Sequence, residues 1–114
     1  MNLCKKCSCE NCGAKSITVF DIHFCISPEC NKTYNIEKIK NLFHETDKKR
    51  KFILSTNKAN PNDIDLFNKL NESMESVRYI FSNEGNIISF SSQMQEDTFV
   101  FLKTSKEFFD KYSD

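Results

Sequence analysis

The sequence predicts an α+β chain: a small N-terminal treble-clef or zinc-ribbon module followed by a helix plus a three-stranded antiparallel unit. Three observations carry this reading. All six cysteines fall between Cys4 and Cys30; apolar residues recur at helical spacing after Cys30 and again after Asn60; and short apolar runs flank the polar stretch Asn83-Glu84-Gly85-Asn86. A length of 114 residues suits one domain, or a zinc module joined to a small second unit. The expected division is a zinc-binding module over residues 1–46 and a small α+β region over 52–114, packed on the first as one compact unit.

The cysteines come first. Cys9-Glu-Asn-Cys12 and Cys25-Ile-Ser-Pro-Glu-Cys30 are two close thiol pairs, and four thiolates complete a tetrahedral zinc site with no open position for substrate or water. The expected ligands are therefore Cys9, Cys12, Cys25 and Cys30, and the expected role of the metal is structural. Asn11-Cys12-Gly13 suits a knuckle, with Gly13 easing the bend. The gap between the pairs is long enough to run out and back as strand. Cys4-Lys-Lys-Cys7 is a further pair with several readings: a replacement for Cys9 and Cys12, the start of a second site completed by His23 and His44 or by a partner chain, an unliganded pair, or a redox pair. His23, two residues before Cys25, is either a ligand or an ordinary strand histidine. No cysteine follows Cys30, whereas a disulfide scaffold would staple the whole chain; metal and a reducing, intracellular compartment are expected.

The remaining elements follow in order. Ile17 to Phe24 alternates as a strand, with Phe20, Ile22 and Phe24 on one face and Val19, Asp21 and His23 on the other. Ile36, Ile39 and Phe43 are spaced for a helix, with His44 at its end. Phe52-Ile53-Leu54 reads as a short strand. Asn60 caps a second helix with Pro61 at its first position and Ile64, Phe67, Leu70 and Met74 as its apolar face. Val77–Phe81 and Ile87–Phe90 read as a hairpin turning at Gly85 through a positive φ, and Thr98–Lys103 as a third strand. Thr104 and Glu107 form a capping box for a last short helix with Phe108, Phe109 and Tyr112.

Lysine and arginine total sixteen against sixteen aspartate and glutamate, so no global field announces a polyanion. Residues 1–50 nevertheless carry nine basic against six acidic side chains, and residues 51–114 seven against ten. Lys48, Lys49, Arg50 and Lys51 form a basic run, and Lys5 and Lys6 sit beside the cysteines; these six are the candidate nucleic-acid contacts. A run like this after a helix also serves as a solvated loop. There is no Gly-rich phosphate loop and no His-Glu-x-x-His, so no enzyme is expected. No segment reaches membrane-spanning length, and Met1–Lys6 has no apolar leader region.

These features together resemble a family. A knuckle, a strand ending in Phe24-Cys25, a second knuckle running into a helix, and a later helix and hairpin are similar to viral late transcription factor 2 of large cytoplasmic DNA viruses, which carries an FCS/MYM-type zinc finger. The matching residues are Cys9, Cys12, Phe24-Cys25, Ser27 and Cys30. Leu66-Phe67-Asn68-Lys69-Leu70, Val77-Arg78-Tyr79-Ile80-Phe81, Asn83-Glu84-Gly85-Asn86 and Ile87-Ile88-Ser89-Phe90 then match the family's C-terminal half, so the resemblance spans residues 9–90. Two departures stand out: Ile26 intervenes where the family has Ser directly after the first Cys of a Cys-x-x-x-Cys pair, and Cys4/Cys7 lies outside its pattern. The Cys25–Cys30 spacing with Pro28-Glu29 is similar instead to phage Ogr/Delta activators and topoisomerase C-terminal zinc fingers, which match the cysteine module alone.

The expected function is a zinc-binding transcription factor acting with a viral RNA polymerase on late promoters through DNA or protein contacts, in the host cytoplasm or virion. The alternative is a zinc-stabilised adaptor or small polymerase-associated subunit that does not touch DNA. A metal or redox enzyme using Cys4 and Cys7 is the third class.

Overall fold

The computed structural model describes residues 16–20, 22–25, 33–82, 85 and 87–112. Its first elements are β1 (Ser16–Val19) and β2 (Ile22–Cys25), paired antiparallel with Ser16 opposite Cys25 and Val19 opposite Ile22. Directly opposed residues share a face. Val19 and Ile22 therefore lie together, Phe24 joins them two residues on, and all three are buried. Phe20 begins the two-residue connection with φ of 57°, a left-handed conformation that bulky side chains rarely adopt, and it is exposed. The single strand expected over Ile17–Phe24 is thus a hairpin, and the face expected for Phe20 belongs to Val19.

β3 (Thr33–Asn35) leads through buried Ile36 into α1 (Glu37–Ser55). Ile39, Leu42, Phe43, Thr46 and Ile53 form its buried stripe, and Glu37 in the first turn complements the helix dipole. The helix ends in a Schellman motif: Asn57 takes φ of 55°, Lys58 N–H donates to the Ile53 carbonyl at 3.0 Å, and Asn57 N–H to Leu54 at 3.4 Å. Asn tolerates the left-handed position better than most residues. A short 3-10 turn (Pro61–Asp63) follows, with Asn60 Oδ1 accepting from Asn62 N–H at 2.9 Å.

α2 (Ile64–Phe81) buries Leu66, Leu70, Ser73, Met74, Val77 and Ile80. β4 (Ile87–Ser89) pairs antiparallel with β3, Tyr34 opposite Ile88. α3 (Ser92–Lys111) is capped by Ser91, whose Oγ accepts from Met94 N–H at 3.2 Å, and buries Thr98, Phe101, Leu102, Ser105 and Phe108. α2 and α3 make the most extensive contact in the fold, and β1 lies against α3. The core is filled by Phe24, Ile39, Leu70, Met74, Phe101 and Phe108, with Phe43, Phe81 and Phe101 touching at centroid separations of 5.1 to 6.3 Å. Among the described residues no helix is long and apolar enough to cross a membrane.

Among the described residues there is no three-stranded antiparallel unit of the kind expected. The described C-terminal part is helical, and its one strand, β4, pairs across the chain with β3. Phe52-Ile53-Leu54 is the last turn of α1, Val77–Phe81 the last turns of α2, and Thr98–Lys103 the middle of α3, in which Thr104 and Glu107 are interior positions. The cause is a contest between propensity and period. Val-Arg-Tyr-Ile-Phe and Thr-Phe-Val-Phe-Leu are rich in β-formers. Yet each continues a three-and-four spacing begun upstream, at 66, 70, 74, 77 and 80 and at 95, 98, 101, 105 and 108, and burial along one helical stripe outweighs propensity. Ile64, expected on the apolar face of α2, is exposed, and Gly85 does not take a left-handed φ. α1 runs unbroken through residues 46–52.

Candidate functional site

The basic run is helical, and that decides what it can touch. Successive residues of a helix point about 100° apart, so Lys48, Lys49, Arg50 and Lys51 cannot present four charges to one ligand. Arg50 Nη2 pairs with Asp47 Oδ1 and Lys51 Nζ with Asp47 Oδ2, each at 3.0 Å. Burial pushes the Asp47 carboxyl up, but the hydrogen bonds and charges of Lys51 and Arg50 outweigh it and hold the pKa below the ordinary value. Lys48 and Lys49 point elsewhere. With Glu45, Phe52 and Ile53 they form one stripe of α1, at i, i+3, i+4, i+7 and i+8, and this stripe is one wall of an open cleft of about 590 Å³.

The facing wall is the end of α3, with Phe109, Lys111 and Tyr112, and Lys58 closes the corner. Each side chain has a local reason for its place. The Schellman motif turns the chain back so that Lys58 Nζ lies 5.4 Å from the Phe52 ring centroid. Lys49 Nζ lies 5.3 Å from the centre of Phe109. Both are cation–π distances. Phe109 is itself held edge-on by Phe20 at 5.5 Å and by Phe108 at 5.6 Å. A polar latch fixes the end of α3: Lys111 Nζ donates to Asp63 Oδ1 at 2.8 Å, Tyr112 Oη donates to Asp63 Oδ2 at 2.7 Å, and Asn60 N–H donates to Tyr112 Oη at 3.0 Å. The Lys111 and Tyr112 hydrogen bonds hold the Asp63 carboxyl below its usual range. Asp63 in turn raises Lys111, and burial together with Asp63 raises Tyr112.

The charges divide the four lysines by role. Lys111 is committed to Asp63, and Lys58 sits just past the C-terminal end of α1, where a cation complements the negative end of the dipole. Lys48 and Lys49 have no carboxylate within ion-pair distance among the described residues, and Glu45 is the one acid lining the cleft. The arrangement therefore offers two ammonium groups to a ligand, beside aromatic faces already occupied by cations. Such a set of groups can hold an anion with a flat, polarisable part.

Of the residues singled out in the sequence, the structure brings Lys48 and Lys49 to this cleft and turns Arg50 and Lys51 to Asp47. Lys5, Lys6, Cys4, Cys7, Cys9, Cys12 and Cys30 lie outside the described residues. Cys25 ends β2 and His23 stands within it as backbone; their side chains also lie outside the description. His44 is exposed in the middle of α1. Phe52, Lys58, Phe109, Lys111 and Tyr112 were not legible as a site, because they join only when the ends of α1 and α3 meet; the spacing 45, 48, 49, 52, 53 was the available signal. No described protein family, curated protein or solved structure matches the chain.

Proposed function

We propose that this chain is a non-enzymatic accessory of transcription that contacts nucleic acid through the cleft between α1 and α3. The observation that carries the reading is Lys48 and Lys49 beside the rings of Phe52 and Phe109 on one open cleft. Ammonium groups bind phosphate, and aromatic faces take bases. A base can replace a lysine on such a ring: an exposed cation there contributes about 0.5–1 kcal/mol, while a stacked base contributes about 1–3 kcal/mol.

The N-terminal cysteines complete the reading. Cys9, Cys12, Cys25 and Cys30 have the donor chemistry of a closed zinc set, with Cys4, Cys7 and His23 as alternative donors, and bound zinc would stabilise the fold without supplying catalysis. The β1–β2 pairing supports this: Ser16, four residues after Cys12, lies opposite Cys25. The resemblance to viral late transcription factor 2 makes RNA polymerase the expected partner.

Fluorescence anisotropy with labelled oligonucleotides at several salt concentrations tests the proposal. Two or three phosphate contacts give a slope of log K against log salt of about −1.4 to −2 for a single strand. Lys48→Gln with Lys49→Gln is expected to flatten it by about 1.4. No binding of any oligonucleotide at low salt would refute the reading and favour the adaptor that works through protein contacts alone.

A further inference from the structure

The two lysine–ring contacts of the cleft say which form of nucleic acid it takes. Phe52 is a 55 %-exposed phenylalanine on the last turn of α1, and one ammonium group, Lys58, covers its face. Lys49 covers Phe109 in the same way. A duplex has no use for either ring, because its base faces are already stacked inside and only edges and phosphates are outside. An unpaired base presents a free face.

We propose that the cleft is a single-strand site working by exchange. An unpaired base displaces the Lys58 ammonium from Phe52, a neighbouring base displaces Lys49 from Phe109, and the released ammonium groups move to the phosphates that join those bases. Each lysine thus has two positions, on the ring in the free protein and on phosphate in the complex. The positive charge that covers the ring when the cleft is empty becomes backbone neutralisation when it is filled. The volume of about 590 Å³ is in the range of pockets that enclose a small organic ligand, suited to one or two nucleotides rather than a long groove. This deepens the proposed function and rests on it.

The test uses the full chain with a labelled oligo-dT strand of about twelve nucleotides, within the usual range of single-strand sites, and the matching dT·dA duplex. The single strand is expected to bind at least about fivefold more tightly than the duplex, the lower bound of one stacked base. Phe52→Ala and Phe52→Leu are expected to weaken single-strand binding by about fivefold or more and to leave duplex binding within about twofold; Phe52→Tyr is expected to retain it. Leu keeps the apolar bulk without a π-face, so its loss separates stacking from mere contact, and circular dichroism checks that each variant folds. The chain has no Trp; the single indole of the Phe52→Trp variant is expected to be quenched by the single strand and not by the duplex. Equal binding of both forms, or single-strand binding indifferent to Phe52→Leu, overturns the exchange site while leaving nucleic-acid binding standing. Failure of both oligonucleotides to bind at low salt overturns the parent reading as well.

Discussion

Phe20 meets Phe109 edge to face, with ring centroids 5.5 Å apart and planes at 86°. The contact joins the turn of the β1–β2 hairpin to the end of α3 that forms one wall of the cleft, and it costs a left-handed backbone at Phe20, φ 57°. A non-glycine residue there costs about 1–2 kcal/mol, and an edge-to-face pair contributes about 0.5–1.5 kcal/mol, so strain and contact nearly cancel. Phe20→Ala keeps the strain and loses the contact; Phe20→Gly loses both. Chemical denaturation is expected to show the glycine variant more stable than the alanine variant by about 1 kcal/mol. An alanine variant equal to or above the glycine variant would show that the turn is not strained.

The Asp63 latch gives a pH dependence with a definite sign. Asp63 has its pKa lowered on folding, so its contribution is present above the ordinary value of 3.8 and disappears as pH falls through the lower folded value. Lys111 is raised above 10.5, so its contribution is present below that value and disappears as pH rises through the higher folded value. Melting temperatures of the wild type and Asp63→Asn are therefore expected to differ across the neutral range and to converge at both extremes. A gap that persists well below the folded Asp63 pKa would assign the effect to the amide rather than to lost charge.

Core and cleft aromatics should separate cleanly. Phe101 is fully buried against Phe43 and Phe81, and Phe101→Ala is expected to cost about 3–5 kcal/mol in urea unfolding. Phe52→Ala, at an exposed position where only the Lys58 contact is lost, is expected to stay within about 1 kcal/mol of wild type. Comparable losses in the two variants would mean that Phe52 is structural.

Metal content tests the cysteines. Purified protein is expected to hold zinc at about one ion per chain, released on acidification as the thiolate ligands take up protons. Cys9→Ser and Cys25→Ser are each expected to abolish it. Retention of zinc in Cys9→Ser with its loss in Cys4→Ser would reassign the ligand set to the outer pair.

What the sequence shows clearly is period and punctuation. Asn60 and Pro61 mark the entry to α2, and Leu70 and Met74 face the core as their spacing requires. The strand readings at Val77 and Thr98 fail because the β-forming side chains there lie on a helical spacing that runs through both segments and buries one stripe. The sequence places the end of the first helix at His44, because a charged run such as Lys48–Lys51 also suits a solvated loop; as helix, the run separates into two lysines facing the cleft and two cations facing Asp47. Lys58 and Phe52 meet through the left-handed turn at Asn57, and the approach of Lys49 to Phe109 spans sixty positions, so no local pattern announces either.

The pairing of β3 with β4 bears on the order of assembly. Its three residue pairs join positions 35 and 87 across about fifty residues, and closing a chain of that length costs about 3.5 kcal/mol beyond a constant. So short a ladder cannot lead. Packing of α1 against α2 and α3, through Phe43, Phe81 and Phe101, is what brings its edges together. In native-state hydrogen exchange its amides are expected to open before those of α2, so that β3, the lead into α1, is released ahead of the helices it joins.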